Sequence, residues 1–115
     1  MEKPVFPSAS RYIAKRREQF APETLATFRS FSRQVFAEGA LPSKTKELIA
    51  VAVAHVTQCP YCIRSHTKSA QARGASSQEI MEAIWVAAEM RAGGAIAHSA
   101  LAIDEMNEEA PRPEK

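Results

Sequence analysis

Residues 47–66 read ELIAVAVAHVTQCPYCIRSH, and the rest of the 115-residue chain is best understood outward from them. The stretch holds both cysteines, Cys59 and Cys62. His66 follows Cys62 by four positions, and Glu47 precedes Cys59 by twelve. The apolar run Leu48–Ala54 has no polar face, which marks a helix destined for the middle of a domain or for a subunit interface. Gln58-Cys59 interrupts it. Pro60 suits the first turn of a new helix, so Cys59 falls at the N-cap. Unpaired N–H groups and the helix dipole at that position favour a thiolate. Cys62 lies one turn in, and His66 one further turn along the same face, where an imidazole can take up a thiol proton and return it. Two helices joined at Gln58-Cys59 pack antiparallel. In that register Glu47 lies about two turns past His66, so the pair meets only through a crossing angle, a bent connection or a water.

Working outward, every other segment is helical or irregular. No alternating Val/Ile/Thr run and no hairpin turn signal occurs. Ser10 to Phe20 predicts a short polar helix with Tyr12, Ile13 and Phe20 as anchors. Pro22-Glu23 opens a second, with Leu25, Phe28, Phe31, Val35 and Phe36 as its buried stripe and Gly39 at its end. Ser43 is the expected N-cap of the third helix, from about Lys44 to Thr57. The fourth runs to about Arg73 and stops at Gly74. Ser76-Ser77-Gln78-Glu79 fits a capping box that starts a fifth helix, whose stripe Ile80, Met81, Ile84, Trp85 and Ala88 is expected to be core. Gly93-Gly94 predicts a break, with a sixth helix carrying Ile96, Ala100, Leu101 and Ile103. The expectation is thus one all-α domain over residues 1–115, a bundle of about six helices with its core between about 10 and 106, and a disordered tail over 107–115.

Composition narrows the function classes. Hydrophobic residues make up 45% and charged residues 24%, with a net charge of +2, which points to a soluble globular protein and away from nucleic acid. The basic group Arg11, Lys15, Arg16, Arg17 reads as a solvated helix face. Met1–Pro4 lacks the apolar core of a signal peptide, and Leu48–Val56 is too short to span a membrane, so no membrane partner and a cytoplasmic location are expected. In a reducing cytosol a Cys-x-x-Cys pair serves redox chemistry or metal binding sooner than a structural disulfide. As a zinc half-site it would draw on His55, Cys59, Cys62 and His66, but His55 is inside a helix, whereas compact zinc sites set their ligands on loops. His55 and His98 read as structural. Neither a metal nor a cofactor is expected.

The pattern Glu47-x11-Cys59-x2-Cys62-x3-His66 resembles the core motif of the AhpD-like alkylhydroperoxidases, within the carboxymuconolactone decarboxylase superfamily. The resemblance covers roughly Leu41 to Met106. It implies that Glu47, Cys59, Cys62 and His66 are catalytic, as a proton relay around a redox dithiol that reduces alkyl hydroperoxides or a partner's disulfide. It further implies a thiol or lipoyl-type reductant, a peroxiredoxin partner, and assembly as a homotrimer or homohexamer. Tyr61 departs from members that carry histidine just before the second cysteine. Between the thiols, helix position favours Cys59 as the attacking residue and proximity to His66 favours Cys62. The reading adopted is Cys62 as attacker and Cys59 as resolving thiol. The alternatives are a disulfide reductase using the same residues, a zinc-stabilised interaction module, and a carboxymuconolactone-type decarboxylase independent of the cysteines.

Overall fold

The computed structural model describes residues 3–106, and the expected tail at 107–115 lies outside them. Five helices follow in order: α1 (Arg11–Phe20), α2 (Pro22–Phe36), α3 (Ser43–Thr57), α4 (Pro60–Ala72) and α5 (Ser77–Met106). No strand occurs among the described residues.

The helix ends show why the chain breaks where it does. Ser10 caps α1 by accepting from the Ile13 N–H at 3.2 Å. Pro22 occupies the first turn of α2, where its missing N–H costs nothing. At the end of α3, Gln58 takes a left-handed conformation (φ 58°, ψ 47°), and the Cys59 N–H reaches the Ala54 carbonyl at 3.1 Å. This closes α3 and turns the chain directly into the N-cap of α4. Gly74, at φ 92°, ends the α4 region in a conformation that favours glycine. Ser76 and Glu79 then form the reciprocal capping box: the Ser76 N–H donates to Glu79 Oε1 at 2.8 Å, and the Glu79 N–H to Ser76 Oγ at 3.1 Å. Lys44 pairs with the same Glu79 carboxylate at 2.8 Å, joining the starts of α3 and α5.

Two sequence expectations about helix ends fail. Ser43 is not the N-cap of α3. Pro42 holds that place in extended backbone, and Ser43, the first helical residue, donates its hydroxyl to the Phe36 carbonyl at 2.8 Å. The residue satisfies the end of α2 instead of the start of α3. Nor does Gly93-Gly94 break the last helix. α5 runs unbroken for 30 residues, so the two helices expected on either side of the glycines are one, and the described residues hold five helices. Each glycine weakens a helix by roughly 0.5–1 kcal/mol, which the flanking Ala, Met, Arg and Ile residues sustain.

The core is small and lies where α3 meets α4 and α5. Val51 is fully buried against Ala70, Ala75 and Ile80, with Leu48 and Ile84 packed around them. Val51→Ala removes two methyl groups at about 0.8 kcal/mol each, before any cavity term. On α5 the buried face is Ile80, Ile84 and Ala87. Trp85 stands outside it, 65% exposed, contrary to expectation. The expected α2 stripe is also uncovered, with Phe28 and Phe31 both exposed, as are Tyr12 and Phe20 on α1. Neither α1 nor α2 buries a residue. The radius of gyration is 20.3 Å, against about 13 Å for a compact chain of 100 residues. α1 and α2 thus form an arm that extends from the α3–α5 body.

Candidate functional site

The site is built from the α3–α4 connection outward. Because Gln58 turns left-handed, Cys59 lands as N-cap of α4, and its sulfur accepts from the Cys62 N–H at 3.2 Å. The Cys62 thiol first, then the Cys62 backbone N–H, and least the Tyr61 backbone N–H favour the Cys59 thiolate and lower its pKa from the ordinary thiol value, against an opposing effect of burial. Cys62 moves the other way. Its bond to Cys59, then burial, then repulsion from a Cys59 thiolate all raise it. The order of acidity is therefore the reverse of what an attacking Cys62 requires. Both cysteines are free thiols and half-buried.

Glu47 and His66 meet directly. His66 Nδ1 lies 2.7 Å from Glu47 Oε1, without the two-turn offset expected for simple antiparallel packing. An ionised carboxylate only accepts, so Nδ1 donates to it, and in the neutral imidazole Nε2 then carries the lone pair. The carboxylate is buried at 5% exposure, and a charge there is tolerable only with such a partner. The ring of Phe36 stacks on the imidazole with centroids 5.0 Å apart and planes at 23°. Phe36 is itself pinned from α3: Ser43 holds its carbonyl, and Lys46 Nζ donates to the Ala37 carbonyl at 2.6 Å. The end of α2 thereby fixes the plane of His66, which in turn shares the α4 face of Cys62.

Sequence reasoning did not single out Phe36, Ser43 or Lys46 for the site. An aromatic on an amphipathic stripe carries no local sign that it will cover an imidazole thirty residues on. Tyr61 is engaged elsewhere, donating its hydroxyl to the Pro7 carbonyl at 2.7 Å with Phe6 edge-on to its ring at 6.2 Å. The four-residue zinc set does not assemble. His55 Nδ1 is bonded to the Val51 carbonyl at 2.7 Å, and among the described residues no three His, Cys, Asp or Glu side chains could hold a metal ion. His98 is exposed on α5. No helix among the described residues is long and apolar enough to cross a membrane.

The arrangement resembles known proteins in sequence and in shape. An uncharacterised protein of the cox locus of Paracoccus denitrificans is 60% identical over 81 residues, covering 70% of this chain and 73% of its own. A solved structure from Methanobacterium thermoautotrophicum superposes with a TM-score of 0.68 at 35% identity, over 72% of this chain and 93% of that one. A carboxymuconolactone decarboxylase family protein of Legionella pneumophila superposes with a TM-score of 0.65, also at 35% identity, over 84% of this chain and 86% of its own. The family model of the carboxymuconolactone decarboxylases matches residues 22–105, from the start of α2 almost to the end of α5. On that match, and on the all-α fold shared with these neighbours, the chain belongs to the carboxymuconolactone decarboxylase family as an AhpD-like member.

Proposed function

We propose that this protein is a thiol-dependent peroxidase in which Cys59 and Cys62 form the redox dithiol and Glu47–His66 handles the proton. The observation that carries the reading is the 2.7 Å Glu47–His66 bond beside a helix start where one thiol is made more acidic by the other. The Cys59 thiolate attacks the terminal oxygen of a hydroperoxide. An S–O bond forms, the O–O bond breaks, and the alkoxide leaves, taking a proton from solvent to become the alcohol. Cys59, now a sulfenic acid, has lost the two electrons the peroxide gained. Cys62 gives its proton to His66 Nε2 and attacks the Cys59 sulfur. An S–S bond forms, the S–O bond breaks, and the departing hydroxide takes that proton and leaves as water. A thiol or lipoyl-type dithiol then reduces the disulfide by exchange and is itself oxidised.

The same reading places the protein in the cytoplasm and makes it a homotrimer or homohexamer. The exposed α2 stripe and the extended shape support assembly, because a helix with an apolar face needs something to bury it.

The test is reductant-coupled peroxide turnover by the wild type, Cys59→Ser and Cys62→Ser, with dihydrolipoamide and thioredoxin each supplied as reductant. Both variants lose turnover, and dimedone traps a sulfenic acid in Cys62→Ser but not in Cys59→Ser. Trapping in the opposite variant reverses the two roles. Activity on a lactone acid that survives loss of both cysteines identifies a decarboxylase. Turnover of a protein disulfide without peroxide turnover identifies a disulfide reductase.

A further inference from the structure

A cleft of about 530 Å³ opens between α2, α3 and α4 on the side of His66 that faces along α4 toward Arg73. Its size is that of a small-molecule site. Phe28 and Phe36 give it an apolar wall, and three arginines line it: Arg29 and Arg33 from α2, and Arg73 from the end of α4. None of the three makes an ion pair among the described residues, whereas Lys44 pairs with Glu79 and Glu47 with His66. Arg29 and Arg33 are four apart on one helix, and like charges at that spacing repel. The negative end of α2 accounts for a cation at Arg33. It does not account for three around one cleft.

An anion resolves the arrangement, and the lining says which kind. Glu38 and Glu47 also border the cleft, so its surplus is about one positive charge, which suits a carboxylate better than a phosphate dianion. The guanidinium fork matches a carboxylate in two parallel bonds. Length follows from α4. Cys62, His66, Ser69 and Arg73 fall at helical spacing on one face. From Arg73 to Cys62 that stripe rises about 16 Å, at 1.5 Å per residue. A molecule anchored at Arg73 and reacting at the dithiol must be long and, beside Phe28 and Phe36, apolar.

The geometry points to a binding site for long-chain carboxylates, with the carboxylate on Arg33 and Arg73 and the chain running past Phe36 toward the cysteines. The substrate class that follows is a hydroperoxide of a long-chain carboxylic acid, which rests on the peroxidase reading above. The experiment has a binding arm and a turnover arm, both on the reduced full-length chain. Calorimetry compares decanoate with decanol, in the wild type and in Arg33→Gln, Arg73→Gln and Arg33→Lys. Turnover compares kcat/KM for linoleic acid hydroperoxide with that for its methyl ester. The wild type binds decanoate at least tenfold more tightly than decanol. Both Gln variants erase that preference, Arg33→Lys retains part of it, and the acid-to-ester ratio of kcat/KM falls toward one in step. Equal affinity for decanoate and decanol, or a preference untouched by both Gln variants, overturns the site. Because binding is read without turnover, absent peroxide reduction with an intact decanoate preference overturns the hydroperoxide assignment and leaves the carboxylate site standing.

Discussion

The α3–α4 pair and the α1–α2 arm are both pairs of helices joined by a short connection, yet they reach opposite ends of the burial scale. In α3–α4 even the polar groups are buried and partnered: Ser43 on the Phe36 carbonyl, Glu47 on His66. In α1–α2 not one residue is buried, although α2 has the cleaner amphipathic pattern. Burial in this chain therefore follows the neighbours a helix acquires and not its own hydrophobicity. α3 has α4 and α5 against it, while α2 touches the body only through its C-terminal end. The body completes its Glu47–His66 pair within a single chain, whereas the arm leaves an apolar face exposed, which the proposed homo-oligomer would cover.

The largest effect comes from breaking the partnered half. Glu47→Gln and His66→Gln each slow peroxide reduction by about 10²–10⁴-fold, the usual range for loss of general acid–base help. Each keeps a polar side chain of similar reach, so the helical circular dichroism stays that of the wild type. If turnover is unchanged in both, the buried pair is a structural device, and the contrast between body and arm reduces to packing.

The arm is tested next. Phe31→Asp places a charge on the exposed stripe away from the cleft, where a covered phenyl ring would contribute about 1.5–3 kcal/mol. In sedimentation the wild type runs as a homo-oligomer, and the variant's association weakens by about ten- to a hundredfold per interface. A wild type that sediments as a monomer at micromolar concentration ends the interpretation of the arm as an unfinished surface.

Thiol acidity refines the comparison within the body. The midpoint for alkylation of Cys59 by iodoacetamide lies below that of an ordinary thiol, and Cys62→Ala moves it upward. The sign follows from the contacts: the Cys62 thiol is the largest influence holding the Cys59 thiolate, so its loss lets the proton return at higher pH. Reactivity of Cys59 is present above its lowered midpoint and lost as pH falls through it. In Cys59→Ala the midpoint of Cys62 moves downward, because a thiolate neighbour no longer opposes its ionisation. Midpoints that stay put in both variants show the thiols to be independent.

What the sequence disclosed, and what it withheld, divides along the range of the interactions. The Ser76–Glu79 box, the Cys59 N-cap ahead of Pro60 and the Gly74 stop all depend on groups three or four residues apart, and all are found as read. The four residues of the candidate site were also legible, since their types and spacing carry the motif. The direct Glu47–His66 bond was not, because it depends on how α3 crosses α4, and a register count along two straight helices misplaces it by two turns. Ser43 looked like a cap because its real acceptor, seven residues back, belongs to another helix. Trp85 and the α2 aromatics were read as core because an apolar stripe announces that it will be covered without saying by which chain. The lowered pKa of Cys59 agrees with its place at a helix N-cap, which the sequence disclosed; the part played by the Cys62 side chain depends on side-chain directions at the helix start, which spacing alone leaves open.

The smallest expected effect concerns the segment that leads the arm back onto the body. Tyr61, between the two cysteines, donates its hydroxyl to the Pro7 carbonyl at 2.7 Å and receives the edge of Phe6. This holds the N-terminal stretch across the start of α4, next to the dithiol. Tyr61→Phe keeps the ring and removes only the donor. A solvent-facing hydrogen bond of this kind contributes about 0.5–1 kcal/mol, so hydrogen exchange over residues 5–10 quickens by roughly two- to fivefold, while the amides of α4 are unaffected. Tyr61→His, which restores the residue some relatives carry there, loosens the same segment and alters the rate or the choice of reductant without preventing disulfide formation. Exchange that does not change in Tyr61→Phe means the segment is held by the Phe6 contact and its own backbone. Tyr61 then matters, if at all, through the dithiol, and the boundary between arm and body lies at the end of α2 alone.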